Sequence, residues 1–251
     1  MAIHRFFVPD DLASGNQGVL DAGQTRQARS VLRLSVGSML TLFNGTGAEA
    51  TARILSASQS GLSFEIESVE SPDREPPLRL TIGLSVLKGD RFEVALQKLT
   101  ELGVARIVPL LTERSVVSFD DARGWLKRAE RYARIAREAA EQSERVTLPE
   151  IAEPTALVEF LHQQPAIVLL ERALSVPTGD IVPDGEMAIA VGPEGGWSER
   201  EQEIIARTAA GTASLGRLIL RAESAAIVAA GTLIQRAWAE RLRQEHGGDR
   251  T

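Results

Sequence analysis

The sequence predicts an α/β protein with a parallel sheet, preceded by a small β-barrel-like module. Three observations carry this. From residue 78 onward, apolar runs of strand length alternate with amphipathic stretches of helix length, the pattern of successive βαβ units. Before residue 71, short β-forming runs follow one another with turn residues between them. Between the two lies Ser71-Pro-Asp-Arg-Glu-Pro-Pro77, with three prolines and three charges in seven residues. It reads as a linker, because proline lacks a donor and restricts the residue before it. The predicted layout is a first domain over 1–71, a linker over 72–77 and a second domain over 78–251.

In the first domain, strands are expected at 4–8 (HRFFV), 38–45 (SMLTLFNG), 49–58 (EATARILSAS) and 62–70 (LSFEIESVE). Asn44-Gly45 and Ser60-Gly61 supply turns. One helix fits near 23–34, with Val31, Leu32 and Leu34 at its buried end. In the second domain, 78–87 reads as a strand and 92–103 as an amphipathic helix. Phe92, Ala95, Leu96, Leu99 and Leu102 share a face there, and Gly103 is the expected stop. A strand at 105–111 and a long helix over 125–145 follow, with Ala129, Tyr132, Ala136 and Ala139 on one stripe. Strands at 166–172 and 186–192, a helix over 199–210, a short strand LILR at 218–221 and a final helix over 224–243 complete the pattern.

Composition narrows the function classes. The chain of 251 residues is 43% hydrophobic and 25% charged, ordinary for a globular protein that buries a real core. No apolar run approaches the roughly 20 residues of a membrane helix, and the first residues carry no secretory signal pattern. A cytoplasmic protein is expected. Without cysteine there is no disulfide or thiolate nucleophile; His4, His162 and His246 are scattered, so no metal site is expected. A net charge of −6 argues against a surface coated in positive charge, but it leaves room for a local basic face.

The segment Val191-Gly-Pro-Glu-Gly-Gly-Trp-Ser-Glu-Arg-Glu201 stands between an apolar run and a helix. Ser198 and Glu201 have the spacing of a capping box, which fixes the helix start. The glycine turn therefore sits at the carboxyl end of a strand and the amino end of a helix, where ligands bind in open parallel sheets. No phosphate motif is present, and a carboxylate at Glu194 would repel a phosphate. Glu194 suits a ligand bearing hydroxyls or positive charge, such as a sulfonium cofactor with a ribose and an α-amino group. The alternative is a tight structural turn that uses glycine for positive φ.

Further along, 215–235 runs from an apolar stretch through Arg221-Ala-Glu-Ser224 into a helix crowded with Ala225, Ala226, Ala229, Ala230 and Gly231. The small residues read as core packing. Arg221 and Glu223 read either as a structural ion pair or, at a strand's carboxyl end, as part of a site. The basic residues of 122–145 mostly describe a solvated helix face. Arg5, Arg26, Arg29 and Arg33 form a modest basic set able to meet RNA phosphates.

VGPEGGWSEREQEI followed by LGRLILRAESA resembles the paired C-terminal signature of SPOUT-class RNA methyltransferases. LQKLTELGVARIVPLLTERS and EAAEQSER are similar to two further blocks of one SPOUT family, RsmE, and HRFFV with SVLRLSVGSMLTLFNGTG is similar to that family's PUA-like RNA-binding module. The resemblance spans nearly the whole chain. It implies a deep trefoil knot in the C-terminal domain, S-adenosylmethionine bound bent within it, and a homodimer with each site near the subunit interface. It also implies N3-methyluridine in 16S rRNA as product, in the decoding region near the 3′ end, within the small ribosomal subunit.

Carried over by position, the cofactor pocket would use Leu170 and Glu171, then Gly192, Pro193, Glu194, Gly195 and Gly196, then Leu215, Leu218, Ile219, Leu220 and Ser224. The family usually reads Leu-Gly-Pro-Arg-Ile-Leu-Arg-Thr-Glu-Thr-Ala across the last segment. This chain has Arg217 for the proline, Leu218 for the first arginine and Ala222 for the first threonine; Arg221 and Glu223 match. Methyl transfer to uridine N3 needs the N3 proton removed, or its negative charge stabilised, together with tight positioning. Arg221 is expected to supply positive charge at the uracil or its phosphate, and Glu194 to organise the loop or act on the proton. A SPOUT enzyme methylating a ribose 2′-oxygen and a non-catalytic RNA-binding ribosome-assembly protein are the alternative readings.

Overall fold

The computed structural model describes residues 4–58, 61–115, 122–171 and 176–247. The chain divides into two compact units: Met1–Glu75 with Ala140–Leu148, and Pro76–Ala139 with Pro149–Thr251.

The first unit holds β1 (Arg5–Phe7), β2 (Gln17–Val19), α1 (Ala22–Arg26), β3 (Met39–Phe43), β4 (Glu49–Ser58) and β5 (Gly61–Glu70). They form one five-stranded sheet in the order β1-β3-β4-β5-β2, antiparallel except where β1 runs parallel to β3. The alternating pattern of β4 and β5 puts Ala52, Ile54, Leu62, Phe64 and Ile66 on one buried face with Phe6, Leu40 and Leu42. The helix expected over 23–34 is shorter. Asp21 and Gln24 cap its start as a capping box, but after Arg26 it widens into a looser turn over Gln27–Val31. Arg33 at φ 56° ends it, since a left-handed residue breaks the helical ladder.

The segment 140–148 is bonded into this unit through a partly buried ion-pair network. Glu49 accepts from Arg5 and from Arg74 at 2.8 Å; Arg145 donates to Glu75 at 2.9 Å. Glu75 also accepts from the amides of Val146 (3.0 Å) and Thr147 (3.1 Å). Arg74 and Glu75, which read as linker in the sequence, are thus tied into the unit.

The second unit is a sheet with helices. Its elements are β6 (Arg79–Ser85), α2 (Arg91–Leu102), β7 (Arg106–Leu111), α3 (Ala122–Gln142) as far as Ala139, β8 (Glu150–Ile151), β9 (Thr155–Ala156) and α4 (Leu157–Gln163). Then come β10 (Ala166–Leu169), β11 (Val176–Pro177), β12 (Glu186–Val191), α5 (Glu199–Thr208), β13 (Gly211–Ser214) and α6 (Ala222–Gly247). The strands run in the order β11-β13-β10-β12-β6-β7-β8, with β9 also on β7, and every pairing is parallel. This is the α/β class with the parallel sheet that the alternating pattern predicts.

Leu80, Ile82 and Leu84 of β6 are fully buried in one core with residues of α2 and α6, each worth about 1.5–3 kcal/mol of burial. Ala226, Ala229 and Ala230 of α6 are buried in the same core with Leu96 and Leu99 of α2, as their small side chains allow. Helix α3 stops at Gln142 rather than near 145, because Glu144 sits at φ 59°. The last residues expected in the strand over 166–172 differ too: β10 ends at Leu169, and residue 172 lies outside the described residues.

One element is corrected. The expected strand LILR is an irregular loop, and the strand is β13, four residues of Gly-Thr-Ala-Ser just before it. Leu218 is 82% and Ile219 51% exposed, so this apolar run is not a core strand. Among the described residues no helix is long and apolar enough to cross a membrane.

Candidate functional site

The strand order creates the site. β6 leads through α2 to β7 on one side of the sheet, whereas its neighbour β12 leads through α5 to β13 on the other. Connections that diverge from adjacent parallel strands leave a crevice at their carboxyl ends, the place where ligands bind in such sheets. A cavity of about 690 Å³ lies there, within the range of small-ligand sites.

Its first wall is Val191–Trp197, leaving β12. The Ser85 hydroxyl donates to the Val191 carbonyl at 3.0 Å and holds the strand end. The chain then turns: the Gly196 amide donates to the Pro193 carbonyl at 2.9 Å, with Gly196 at φ +67°, a conformation that favours glycine. Gly192 is needed for space, since a β-carbon there would stand 2.9 Å from Trp197 Cε2. Trp197 cannot easily yield, being buried and donating from Nε1 to the Leu169 carbonyl at 3.0 Å.

Behind the turn, the predicted capping box forms. Ser198 Oγ accepts from the Glu201 amide at 3.1 Å, and Glu201 accepts from the Ser198 amide at 2.8 Å. The second oxygen of Glu201 accepts from the Glu113 amide at 2.9 Å, so this buried carboxylate also ties the end of β7 to the loop.

The second wall is Leu169, Leu170 and Glu171 at the end of β10, where the Leu170 amide donates to the Ala213 carbonyl at 2.9 Å. The third runs from Leu215 to Ala222 and includes Ala225. The exposed Leu218 and Ile219 belong to this wall, which accounts for apolar side chains left in the open.

Every residue expected at the cofactor pocket lines this one cavity except Ser224. Ser224 lies in the first turn of α6, two residues past Ala222; at about 100° per residue its side chain leaves the face that Ala222 and Ala225 present. Arg221 and Glu194 both line the cavity. Arg221 is exposed and, among the described residues, pairs with no acid, including Glu223. Glu194 accepts from Arg91 Nη1 at 2.9 Å.

The sequence reading missed Arg91, Arg114, Trp197 and Gln202, all of which line the cavity. Arg114 Nη1 donates to the Gly195 carbonyl at 2.9 Å. Arg91 and Arg114 each follow a strand's carboxyl end, a signal that singles them out only once the order of the strands is known. Among the described residues no group of three or more His, Cys, Asp or Glu is placed to hold a metal ion.

In the first unit, Arg26, Arg29 and Arg33 are exposed, and Arg29 donates to the Ser58 carbonyl at 2.9 Å. Arg5 has a different place. Its side chain is 7% exposed, paired with Glu49, bonded to the Arg145 carbonyl and stacked 4.4 Å over the Phe43 ring. It serves the interior of the unit and presents no free charge to RNA.

A family described as an RNA methyltransferase domain matches residues 74–234. The chain is 32% identical to the ribosomal RNA small subunit methyltransferase E of Bacillus subtilis over 80% of this chain and 82% of that protein. It is 31% identical to that of Rickettsia conorii over 91% and 94% of the two chains. Among solved structures, the Neisseria gonorrhoeae ribosomal RNA small subunit methyltransferase E bound to S-adenosylmethionine superposes with a TM-score of 0.83 at 33% identity, covering 92% of this chain and 96% of that one. A Legionella pneumophila protein described as a methyltransferase, solved with its bound cofactor S-adenosylmethionine, gives a TM-score of 0.86 at 33% identity over 93% and 97%.

Proposed function

The chain belongs to the ribosomal RNA small subunit methyltransferase E family, and from that premise we propose that it methylates N3 of one uridine in 16S rRNA, in the decoding region near the 3′ end. It is an S-adenosylmethionine-dependent rRNA methyltransferase. The observation that carries the site assignment is a cavity lined from three separate segments, 169–171, 191–197 and, Arg217 excepted, 215–222.

The lining fits the cofactor by its chemistry. Leu215, Leu218, Ile219 and Leu220 offer an apolar bed for adenine. Gly192 and Gly196 keep the backbone close and free of side chains. Glu171 and Glu194 offer acceptors for hydroxyls and cationic groups. When bound, the cofactor supplies a sulfonium methyl as the electrophile. The chain's own residues must then prepare the nucleophile. Uridine N3 attacks with its lone pair only as its proton leaves and charge spreads onto O2 and O4. On this reading Arg221 stabilises that charge, a role supported by its exposure at the cavity without an acid partner among the described residues. Glu194 organises the loop or takes the proton.

The same reading assigns 1–71 as a PUA-like RNA-binding domain and 78–251 as a SPOUT domain with a trefoil knot, joined by 72–77, of which Arg74 and Glu75 are bonded into the first unit together with 140–148. It has the enzyme work as a homodimer in the cytoplasm, on rRNA within the small subunit. Arg26, Arg29 and Arg33 are its outward phosphate contacts in the first domain.

The test is R221A and E194A, each assayed for rRNA methylation and, separately, for cofactor binding. Lost methylation with retained cofactor binding in R221A supports its role; wild-type rates in both variants refute the assignment. Nucleoside mass analysis of the product separates N3-methyluridine from a 2′-O-methyl ribose.

A further inference from the structure

Two guanidinium groups at the cavity stand apart from the residues assigned to methyl transfer. Arg91 is the first residue of α2, beyond the carboxyl end of β6, and Arg114 stands beyond the carboxyl end of β7. Both reach the same loop from outside it. Arg91 Nη1 donates to the Glu194 carboxylate and Arg114 Nη1 to the adjacent Gly195 carbonyl, each at 2.9 Å. Among the described residues these are their only polar bonds, so most N–H groups of both forks stay open. Arg91 is 39% exposed at its side chain and Arg114 is exposed. With Arg221 they place three guanidinium groups, from three different segments of the chain, around one cavity.

Resting on the reading that this site methylates RNA, we propose that Arg91 and Arg114 bind the phosphate groups flanking the target nucleotide. The guanidinium fork is always charged and matches phosphate oxygens two at a time. The cofactor is a poor reason for so many cations. It brings one carboxylate, but also a sulfonium and an ammonium, which suit Glu171 and Glu194 instead. RNA brings one negative charge per nucleotide, and a chain of net charge −6 has no general attraction for it. The cations must therefore stand where the RNA is engaged. The Arg91–Glu194 pair gives each group a partner until a phosphate takes Arg91 over, and that exchange frees the Glu194 carboxylate at the moment the nucleotide arrives.

The full-length protein carrying R91Q, R114Q or both tests this. Affinity for 16S rRNA is measured across a potassium chloride series, and S-adenosylmethionine affinity by calorimetry. Each substitution is expected to weaken rRNA binding about 5- to 10-fold and to flatten the log–log salt slope by about 0.7, as losing one phosphate contact on single-stranded RNA does. Cofactor affinity should fall by less than rRNA affinity, since Glu194 and the Gly195 carbonyl each lose one donor while the rest of the lining stays, and R91K should keep the wild-type salt slope, since it keeps the charge. An unchanged salt slope in the double variant overturns the proposal. So does weakened cofactor binding with rRNA affinity intact, which would give the arginines to the cofactor's carboxylate. A wild-type protein that binds rRNA but transfers no methyl group would instead sink the methyltransferase reading, and the salt slopes would still decide the phosphate contacts.

Discussion

Glu201→Gln removes one charge and almost no volume, yet it should loosen the whole glycine loop. Glu201 is 4% exposed, and its two side-chain oxygens accept from different segments: the Ser198 amide at 2.8 Å and the Glu113 amide at 2.9 Å. A glutamine can face only one of these donors with its carbonyl. Its NH₂ group then confronts the other, leaving a buried N–H opposite a second donor. A hydrogen bond to a charged group is worth about 1.5–3 kcal/mol, and a buried unpaired donor adds its own desolvation cost. The expected loss is therefore about 2–4 kcal/mol, or roughly 5–10 °C in melting temperature at this chain size. Calorimetry and urea unfolding of the full-length protein read it, with S198A, expected to cost about 1 kcal/mol as a lost N-cap, for scale. The release of the Glu113 amide should also unsettle Arg114 next to it, so rRNA KM should rise along with the loss of stability. If E201Q melts within about 1 °C of the wild type, the two-donor role assigned to this carboxylate is wrong.

Three further outcomes follow from other contacts. Gly192→Ala sets a β-carbon 2.9 Å from the anchored Trp197 ring, an overpacking that costs about 1–3 kcal/mol, so cofactor affinity by calorimetry should fall about tenfold or more. Leu218→Ser should leave the melting temperature unchanged, because the side chain is 82% exposed, while weakening cofactor binding several-fold; a destabilised but fully binding variant would contradict its place at the cavity. Burial pushes the Glu75 carboxyl up, but the charge of Arg145 and the hydrogen bonds from Arg145 and Thr147 outweigh it and hold it below its usual value near 4.5. A carboxyl depressed in the folded state stabilises above its unfolded value and loses that contribution as the pH falls through the folded one. Urea midpoints should therefore drop below about pH 4.5 in the wild type, and E75Q should be weaker at neutral pH and show a shallower acid drop.

What the sequence disclosed depended on how far apart the partners are. Ser198 and Glu201 are three residues apart, and their capping box was legible because the pattern is local. The α/β alternation was legible for the same reason. Arg5 was misjudged because its partners Glu49 and Arg145 are 44 and 140 residues away, and nothing near Arg5 announces a buried pair. Glu75, with Arg145 70 residues on, was hidden in a proline-rich stretch that looks like linker. The LILR run failed differently. Its apolar composition is real, but composition cannot say whether an apolar surface meets the core or lines an open cavity.

Arg91 and Arg114 show why the site's charge was the least legible part. Neither lies near the glycine loop in sequence: Arg91 is 103 residues from Glu194, and Arg114 is 81 from Gly195. They converge because β12 lies between β10 and β6, with β7 beyond β6, an order that no local pattern encodes. That order also explains the loop's composition. Where β12 ends, the paths from β6 and β12 part, and any side chain at Gly192 would be driven into Trp197. A loop that must leave this space open has few side chains with which to bind anything. Its one acid, Glu194, supplies an acceptor, and among the described residues every positive charge lining the cavity comes from another segment. The side chains that hold an anionic ligand at this site must therefore come from outside the glycine motif, and substitutions at Arg91, Arg114 and Arg221 should act on the RNA while substitutions at Gly192, Gly195 and Gly196 act on the cofactor.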